Sequence, residues 1–317
     1  MAVYTQISDT LLKEYLSAYD VGEATSFKGI AEGIENSNYL LQTTTEKFIL
    51  TIYEKRADPE NLPYYLTLMK SLAEQGIKSP LPIEDRKGLA LKTLKGKPCC
   101  MISFLNGVSS DFPNDRQSYN CGKVMAEMHK ALSDFPETVE NTLSVSGWLE
   151  LFKGRAEQAD ALHPGAGAFI ANQLAYLQDQ WPSTLPRGTI HADLFPDNVL
   201  FSGDEVSGVI DFYFACTDIW AYDLAISLTA WCFDSENCFL PENATAMIAG
   251  YQSVRPLETE EKDNLVLLCQ GASMRFYLTR LFDWYVDTTD ALVKKKNPQV
   301  YLERLQHFTR EGLSYGK

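Results

Sequence analysis

The sequence predicts a bilobal α+β fold. Three observations predict it: a β-rich first third, a switch to long helices after about residue 108, and a length of 317 residues, which suits two lobes of roughly 100–200 residues each. Ser8 to Tyr19 reads as a helix capped by Ser8 or Asp9, with Leu11, Leu12, Tyr15, Leu16 and Tyr19 at helical spacing. Two short apolar runs, Tyr39–Thr43 and Lys47–Tyr53, joined by Thr44-Thr45-Glu46, read as a hairpin. Pro59 to Gln75 reads as a helix, with Pro at its start and Gly76 just past its end. Leu89–Leu94 and Pro98–Leu105 flank Lys95-Gly96-Lys97 as a second hairpin. Helices are then expected at Ser118–Leu132, Ala168–Gln180, Asp223–Phe233, Ala244–Ser253, Glu258–Thr288 and Pro298–Arg310, with one β-like interruption at Thr189–Phe214. The N-lobe is therefore expected at 1–103, the hinge at 104–107 and the helical C-lobe at 108–317.

Composition narrows the function. The formal net charge is −14, a surface that repels nucleic acid and anionic lipid, so neither is an expected partner. No run approaches the roughly 18 apolar residues of a membrane span. The start, with no basic stretch leading into an apolar core, reads as no signal peptide. The seven cysteines are odd in number and form no CxxC pair, and Cys99 and Cys100 are adjacent in an apolar run. They read as reduced, mostly buried thiols of a cytoplasmic protein. His129, His163, His191 and His307 are too scattered in sequence to suggest a zinc site.

The chemistry is concentrated in Thr189-Ile-His191-Ala-Asp193-Leu-Phe-Pro-Asp-Asn198-Val-Leu-Phe201, followed by Gly208-Val-Ile-Asp211-Phe. Phosphoryl transfer needs few protein groups: a carboxylate that positions the attacking hydroxyl and takes its proton, and an amide oxygen and second carboxylate that hold magnesium against the phosphates. H-x-D-x-x-x-x-N supplies the first two from one loop. Asp211, after the apolar strand Val206–Ile210, supplies the third. A polar loop whose Asp and Asn merely cap turns is the alternative. A lone H-x-D would leave that alternative standing; the Asp-to-Asn spacing, the flanking apolar strands and the second Asp argue against it. His191 reads as a packing residue of the loop, and His129, beside the apolar stripe Cys121, Val124, Met125 and Met128, as a hydrogen-bonded structural histidine.

These motifs resemble those of the aminoglycoside phosphotransferase and choline kinase superfamily, which has a protein-kinase-like fold. Within it the chain is similar to the homoserine kinases of that fold, on Ser26–Tyr39, Phe48–Arg56, the catalytic segment, Tyr222-Asp-Leu-Ala-Ile226 with Trp231-Cys-Phe-Asp234, and Arg275-Phe276 with Arg280. The resemblance implies a nucleotide in the cleft between the lobes, ATP and Mg2+ as cofactors, and O-phosphorylation of L-homoserine in threonine biosynthesis. Other readings are a sister kinase for choline, methylthioribose, another hydroxy amino acid or an aminoglycoside, and a catalytically dead nucleotide-binding scaffold. The oligomeric state is left open.

The remaining candidates follow from that frame. The glycine loop, with Lys28, Gly29 and Gly33, would cover the phosphates with backbone N–H groups. Ser103 and Leu105 border the hinge, where adenine would meet backbone groups. One departure stands out: the fold usually carries a Lys or Arg in the third strand to grip phosphates, and alignment puts Thr51 there, with Lys55 about 13 Å further along. Glu60 and Glu74, on the following helix, would be partners for such a cation. An amino-acid acceptor needs a cation for its carboxylate, and arginine matches a carboxylate best. Arg275 is the first choice: its helical neighbours include no acid, and Gly271 and Ala272 leave room for a ligand. Arg280 is the second, and Asp234 is the candidate for the ammonium.

Overall fold

The computed structural model describes residues 5–30, 36–54, 59–286 and 295–314. They form two compact units, one from the chain through Gly107 together with Ser207–Tyr213, the other from Val108–Val206 and from Phe214 onward.

The first unit opens with α1 (Asp9–Leu16), capped by the Ser8 hydroxyl accepting from the Leu11 N–H. Strands β1 (Ala24–Gly29), β2 (Asn36–Thr43) and β3 (Lys47–Tyr53) follow, then α2 (Leu62–Glu74), β4 (Leu91–Leu94) and β5 (Lys97–Ser103). The five strands form one antiparallel sheet in the order β1-β2-β3-β5-β4. Alternation fixes its two faces. Phe48, Leu50 and Ile52 of β3 join Tyr39, Leu41 and Met101 against Leu12, Tyr15 and Leu16 of α1 in a buried core. Thr51 and Tyr53 fall on the opposite face, where Tyr213 meets the edges of Tyr53 and of Tyr65 from α2. The expected hairpins are present. β1 was not expected as a strand, because its exposed, weakly apolar sequence lacks a strand signature.

The second unit holds α3 (Asp115–Ala131), α4 (Val145–Phe152), α5 (Ala156–Leu162), α6 (Ala166–Gln180), β6 (Arg187–Ile190), β7 (Val199–Ser202), β8 (Glu205–Val209, which runs on into the first unit), β9 (Cys216–Ile219), α7 (Trp220–Trp231), α8 (Pro241–Gln252), α9 (Thr259–Tyr285) and α10 (Gln299–Arg310). β6 pairs with β9, and β7 with β8. α3 starts three residues before the expected Ser118, because Asn114 and Gln117 form a reciprocal capping box. The short α4 and α5, and β9, were missed; none exceeds eight residues, less than the window over which periodicity can be read. α3 and α8 cross with their backbones in contact. A Cβ at Gly122 would lie 2.0 Å from the Met247 carbonyl oxygen, and one at Gly250 would lie 1.9 Å from that of Tyr119. All seven cysteines are free, and only Cys238 is exposed. Among the described residues, no helix is long and apolar enough to cross a membrane.

Candidate active site

The loop after β6 is fastened by its backbone. Asp223, in the first turn of α7, is fully buried and accepts from the N–H groups of His191 (2.9 Å) and Ala192 (2.8 Å). Arg275, on α9, donates from Nη1 to the Ala192 carbonyl (2.6 Å). The Leu194 carbonyl accepts from the Ser227 hydroxyl (3.1 Å) and from Trp231 Nε1 (2.8 Å), both on α7. Between these ties Ala192 takes a left-handed φ of 61°, a conformation that costs a non-glycine residue roughly 1–2 kcal/mol. The result presents Asp193 half-buried, between anchored neighbours on both sides.

Asp223 also receives His129. Nε2 of that ring lies 2.9 Å from Asp223 Oδ2, and Nδ1 lies 2.8 Å from the Tyr251 hydroxyl, so His129 is the hydrogen-bonded structural histidine expected. Burial pushes the Asp223 carboxyl upward, but the hydrogen bond and charge of His129, with His191 and its amide, outweigh that and hold it below the usual carboxylate range. The sequence reading gave Asp223 no role. The signal was present: it is the lone charge in the run Trp220–Trp231, and a buried charge on an apolar helix needs partners.

Asn198 is buried at the end of the loop. Its Nδ2 donates to the Asp193 carbonyl (2.8 Å) and reaches Asp193 Oδ2 at 3.3 Å. Its Nδ2 is thus engaged with Asp193, which leaves the carboxamide oxygen as the group that can act as a hard ligand. Asp211 closes β8 in the first unit, exposed and with a left-handed φ of 67°, the kind of outlier that concentrates at functional sites. Among the described residues no group of three or more His, Cys, Asp or Glu could hold a metal ion alone. The amide oxygen of Asn198 and the carboxylate of Asp211 are each hard oxygen donors of the kind a divalent cation takes.

In the first unit, Lys28 and Gly29 lie exposed at the end of β1, opposite Leu40 and Tyr39. Gly33 and Lys55 lie outside the described residues. Thr51 is buried, and its hydroxyl donates to Asn38 Oδ1 on β2 (2.9 Å), so a hydroxyl–amide pair fills the third-strand position. At the expected hinge, the Ser103 N–H is committed to the Leu81 carbonyl and the Phe104 N–H to that of Lys47. Among the described residues the Leu105 N–H has no backbone acceptor.

The acceptor candidates are placed less as expected. Both premises for Arg275 change. The residue is 2% exposed, its guanidinium tied to the Ala192 carbonyl and packed on Phe276 and Phe214. The room beside Gly271 is filled, since a Cβ there would sit 2.3 Å from the Trp181 ring and 2.9 Å from that of Trp148. Asp234 turns its carboxylate onto the N–H groups of Glu236 and Cys238, closing a turn before α8. Arg280 lies 4.4 Å over the Tyr301 ring.

Known proteins similar to this chain identify its family and share its fold. The model of the phosphotransferase enzyme family matches residues 26–257, a span that includes both the catalytic segment and Asp223. The chain belongs to the phosphotransferase enzyme family. This phosphotransferase is 50% identical to a homoserine kinase of Methylobacterium radiotolerans, over 100% of this chain and 99% of that one. Solved structures at lower identity share its fold. A microcompartment-associated aminopropanol kinase aligns over 96% of this chain and 99% of its own, with a TM-score of 0.71 at 18% identity. An amicoumacin kinase in complex with AMP-PNP, Ca2+ and Ami aligns over 96% and 93%, with a TM-score of 0.68 at 15% identity. The expected bilobal α+β kinase fold is borne out.

Proposed function

We propose that this chain is a homoserine kinase, transferring the γ-phosphoryl group of ATP to the side-chain hydroxyl of L-homoserine and so serving threonine biosynthesis. The observation that carries this is the 50% identity to a homoserine kinase over essentially the full length of both chains. A nucleotide with a divalent cation is supported by the family and by the fold relative that holds AMP-PNP and Ca2+. Mg2+ is our choice of cation, on the donor chemistry of Asn198 and Asp211. When bound, it would neutralise charge on the phosphate oxygens.

The protein's own part is positioning and proton transfer. Asp193 orients the acceptor hydroxyl and takes its proton. The hydroxyl oxygen bonds to the γ-phosphorus as the bond to the β,γ-bridging oxygen breaks, and ADP leaves without a covalent phosphoenzyme. Asn198 and Asp211 would hold the metal. Lys28 and the backbone at Gly29 cover the phosphates. Leu105, whose N–H has no backbone acceptor among the described residues, meets adenine, and Ser103 supports that turn. We assign the reaction to the cytoplasm, the compartment that suits free thiols.

The test is ADP release with MgATP across L-homoserine, choline, methylthioribose, 3-aminopropan-1-ol and an aminoglycoside. Homoserine should lead every other acceptor in kcat/KM by at least about 100-fold, the discrimination expected when buried polar groups read the substrate. A carboxylate-free acceptor in first place would replace the homoserine reading with that of a sister kinase. No turnover with any acceptor would favour a scaffold.

A further inference from the structure

Three arginines lie near the Asp193 loop in the second unit, and their donors are spent differently. Arg275 is buried with Nη1 on the Ala192 carbonyl. Arg304, on α10, gives Nε to Asn237 Oδ1 (2.7 Å) and Nη1 to the Thr229 carbonyl (2.5 Å), and it is packed between the rings of Phe233 and Tyr301. Arg280 has one hydrogen bond among the described residues, a long one of 3.3 Å from Nη1 to the Asn297 carbonyl.

A ladder of rings ties Arg280 to the loop. Phe195, two residues past Asp193, meets Phe276 edge-on at 4.8 Å. Phe276 lies 5.1 Å from Tyr301, and Tyr301 carries the Arg280 guanidinium 4.4 Å over its ring. Arg280 follows Phe276 by four residues, so both occupy one face of α9. Burial presses the guanidinium's pKa down. The Tyr301 oxygen, Asp193 and Asp197 act to raise it, while Arg304 acts to lower it. This is a half-buried cation on an aromatic platform, within the field of the proposed base, with donors in reserve among the described residues. In a protein of net charge −14, such a group suits an anionic part of the substrate better than solvent.

We propose that Arg280 is the specificity-determining residue of the acceptor site, receiving the α-carboxylate of an amino-acid alcohol whose hydroxyl is held at Asp193. This rests on the homoserine reading and adds to it the group that tells homoserine from a simple amino alcohol. A guanidinium fork receives a carboxylate through two parallel hydrogen bonds. Stacking on Tyr301 fixes the plane of the fork before the substrate arrives, so less freedom is lost on binding.

The experiment compares wild type, Arg280→Met, Arg280→Lys and Lys296→Met on L-homoserine and on 3-aminopropan-1-ol, which is homoserine without its carboxylate. Calorimetric binding of homoserine and a thermal melt accompany each variant. Arg280→Met should raise the homoserine KM by at least about 30-fold, as for loss of one partner of a desolvated charge pair. It should leave kcat/KM on 3-aminopropan-1-ol within about threefold, since only a contact to the missing group is lost. Arg280→Lys should fall between, keeping the charge and losing the fork; should the Met variant not fold, this ratio carries the test. Equal losses on the two acceptors would overturn the proposal and leave Arg280 a packing residue. A homoserine-specific loss in Lys296→Met instead, with its Nζ 5.8 Å over the Phe195 ring, would also overturn it. A wild type that prefers 3-aminopropan-1-ol would overturn both the homoserine reading and this one. Equal losses in a wild type that prefers homoserine would overturn this one alone.

Discussion

The loop His191–Leu194 and the sheet around Lys28 and Thr51 both carry proposed site residues, yet different forces hold them. In the loop, side chains from α7 and α9 bind backbone groups directly: Asp223 on two N–H groups, Arg275 on the Ala192 carbonyl, Ser227 and Trp231 on the Leu194 carbonyl. In the sheet, β1 pairs with β2 and β2 with β3 along regular antiparallel ladders, and polar side-chain contacts such as Thr51 to Asn38 supplement them. The first arrangement concentrates control in a few buried groups remote in sequence, and the second spreads it over many equivalent backbone bonds. Substitutions at the loop's supports should therefore reach the chemistry, while changes at the sheet's supplementary side-chain contacts, such as Thr51 to Asn38, should not.

The largest effect is expected at the loop's own product. Asp193→Asn should fold, bind nucleotide and lose kcat by roughly 10²–10⁴-fold, the range for removing a general base. The checks are steady-state turnover and nucleotide binding by calorimetry. A variant keeping more than about a tenth of wild-type kcat would remove Asp193 from the role of base.

Next is Asp223, whose loss orphans two amides and His129 Nε2 at once. Asp223→Ala should cost about 3–5 kcal/mol of stability, as for a broken buried pair, and should lower kcat through the loosened loop. The milder Asp223→Asn gives a pH signature. The folded carboxyl is held below its ordinary value of about 3.9. The unfolded chain therefore takes up that proton first as pH falls. Asp223's contribution is complete above the unfolded pKa and disappears as pH drops through the folded one. Urea unfolding from pH 7 down to about pH 3 should show a steeper acid loss in wild type than in Asp223→Asn. Parallel slopes would mean that Asp223 does not tie the loop down through its charge.

Arg275 sharpens the contrast further. Arg275→Met should cost about 1.5–3 kcal/mol, the scale of a hydrogen bond from a charged donor. It should reduce kcat on homoserine and on 3-aminopropan-1-ol by the same factor, because it acts on the loop. A loss confined to homoserine would return Arg275 to the acceptor site.

The sequence held the parts of this molecule that are local. H-x-D-x-x-x-x-N and the strand ending at Asp211 need only short spacing to be seen, and the β3 and β5 strands show themselves by apolar alternation. What it hid is tertiary. Arg275 looked unspent because its acceptor, the Ala192 carbonyl, is 83 residues away, and backbone carbonyls leave no mark in a pattern of side chains. Gly271 looked like room because Trp148 and Trp181, which fill it, come from other elements. Asp223 was readable in principle, as a lone charge on an apolar helix, but its partners at His129, His191 and Ala192 were not.

The smallest effect is expected in the sheet, at Thr51. The third-strand position is 2% exposed, and its hydroxyl donates 2.9 Å to Asn38 Oδ1. Valine keeps the shape and the β-branch and removes the hydroxyl, which also hydrogen-bonds the Tyr213 side chain. Tyr213 keeps its hydrogen bond from the Tyr53 hydroxyl, and Asn38 is half-buried, so water can replace part of what is lost. Thr51→Val should therefore cost about 1 kcal/mol, a melting shift of a few degrees at most in a protein of this size. The ladder from Asn38 to Thr51 is made by backbone groups and survives the change. If the sheet's geometry is distributed as its pairing implies, the apparent nucleotide constant should stay within about twofold and kcat with it. A tenfold rise in that constant with an intact melt would mean that the Thr51 hydroxyl reads the nucleotide. The first unit would then, like the loop, hang its function on a single buried group.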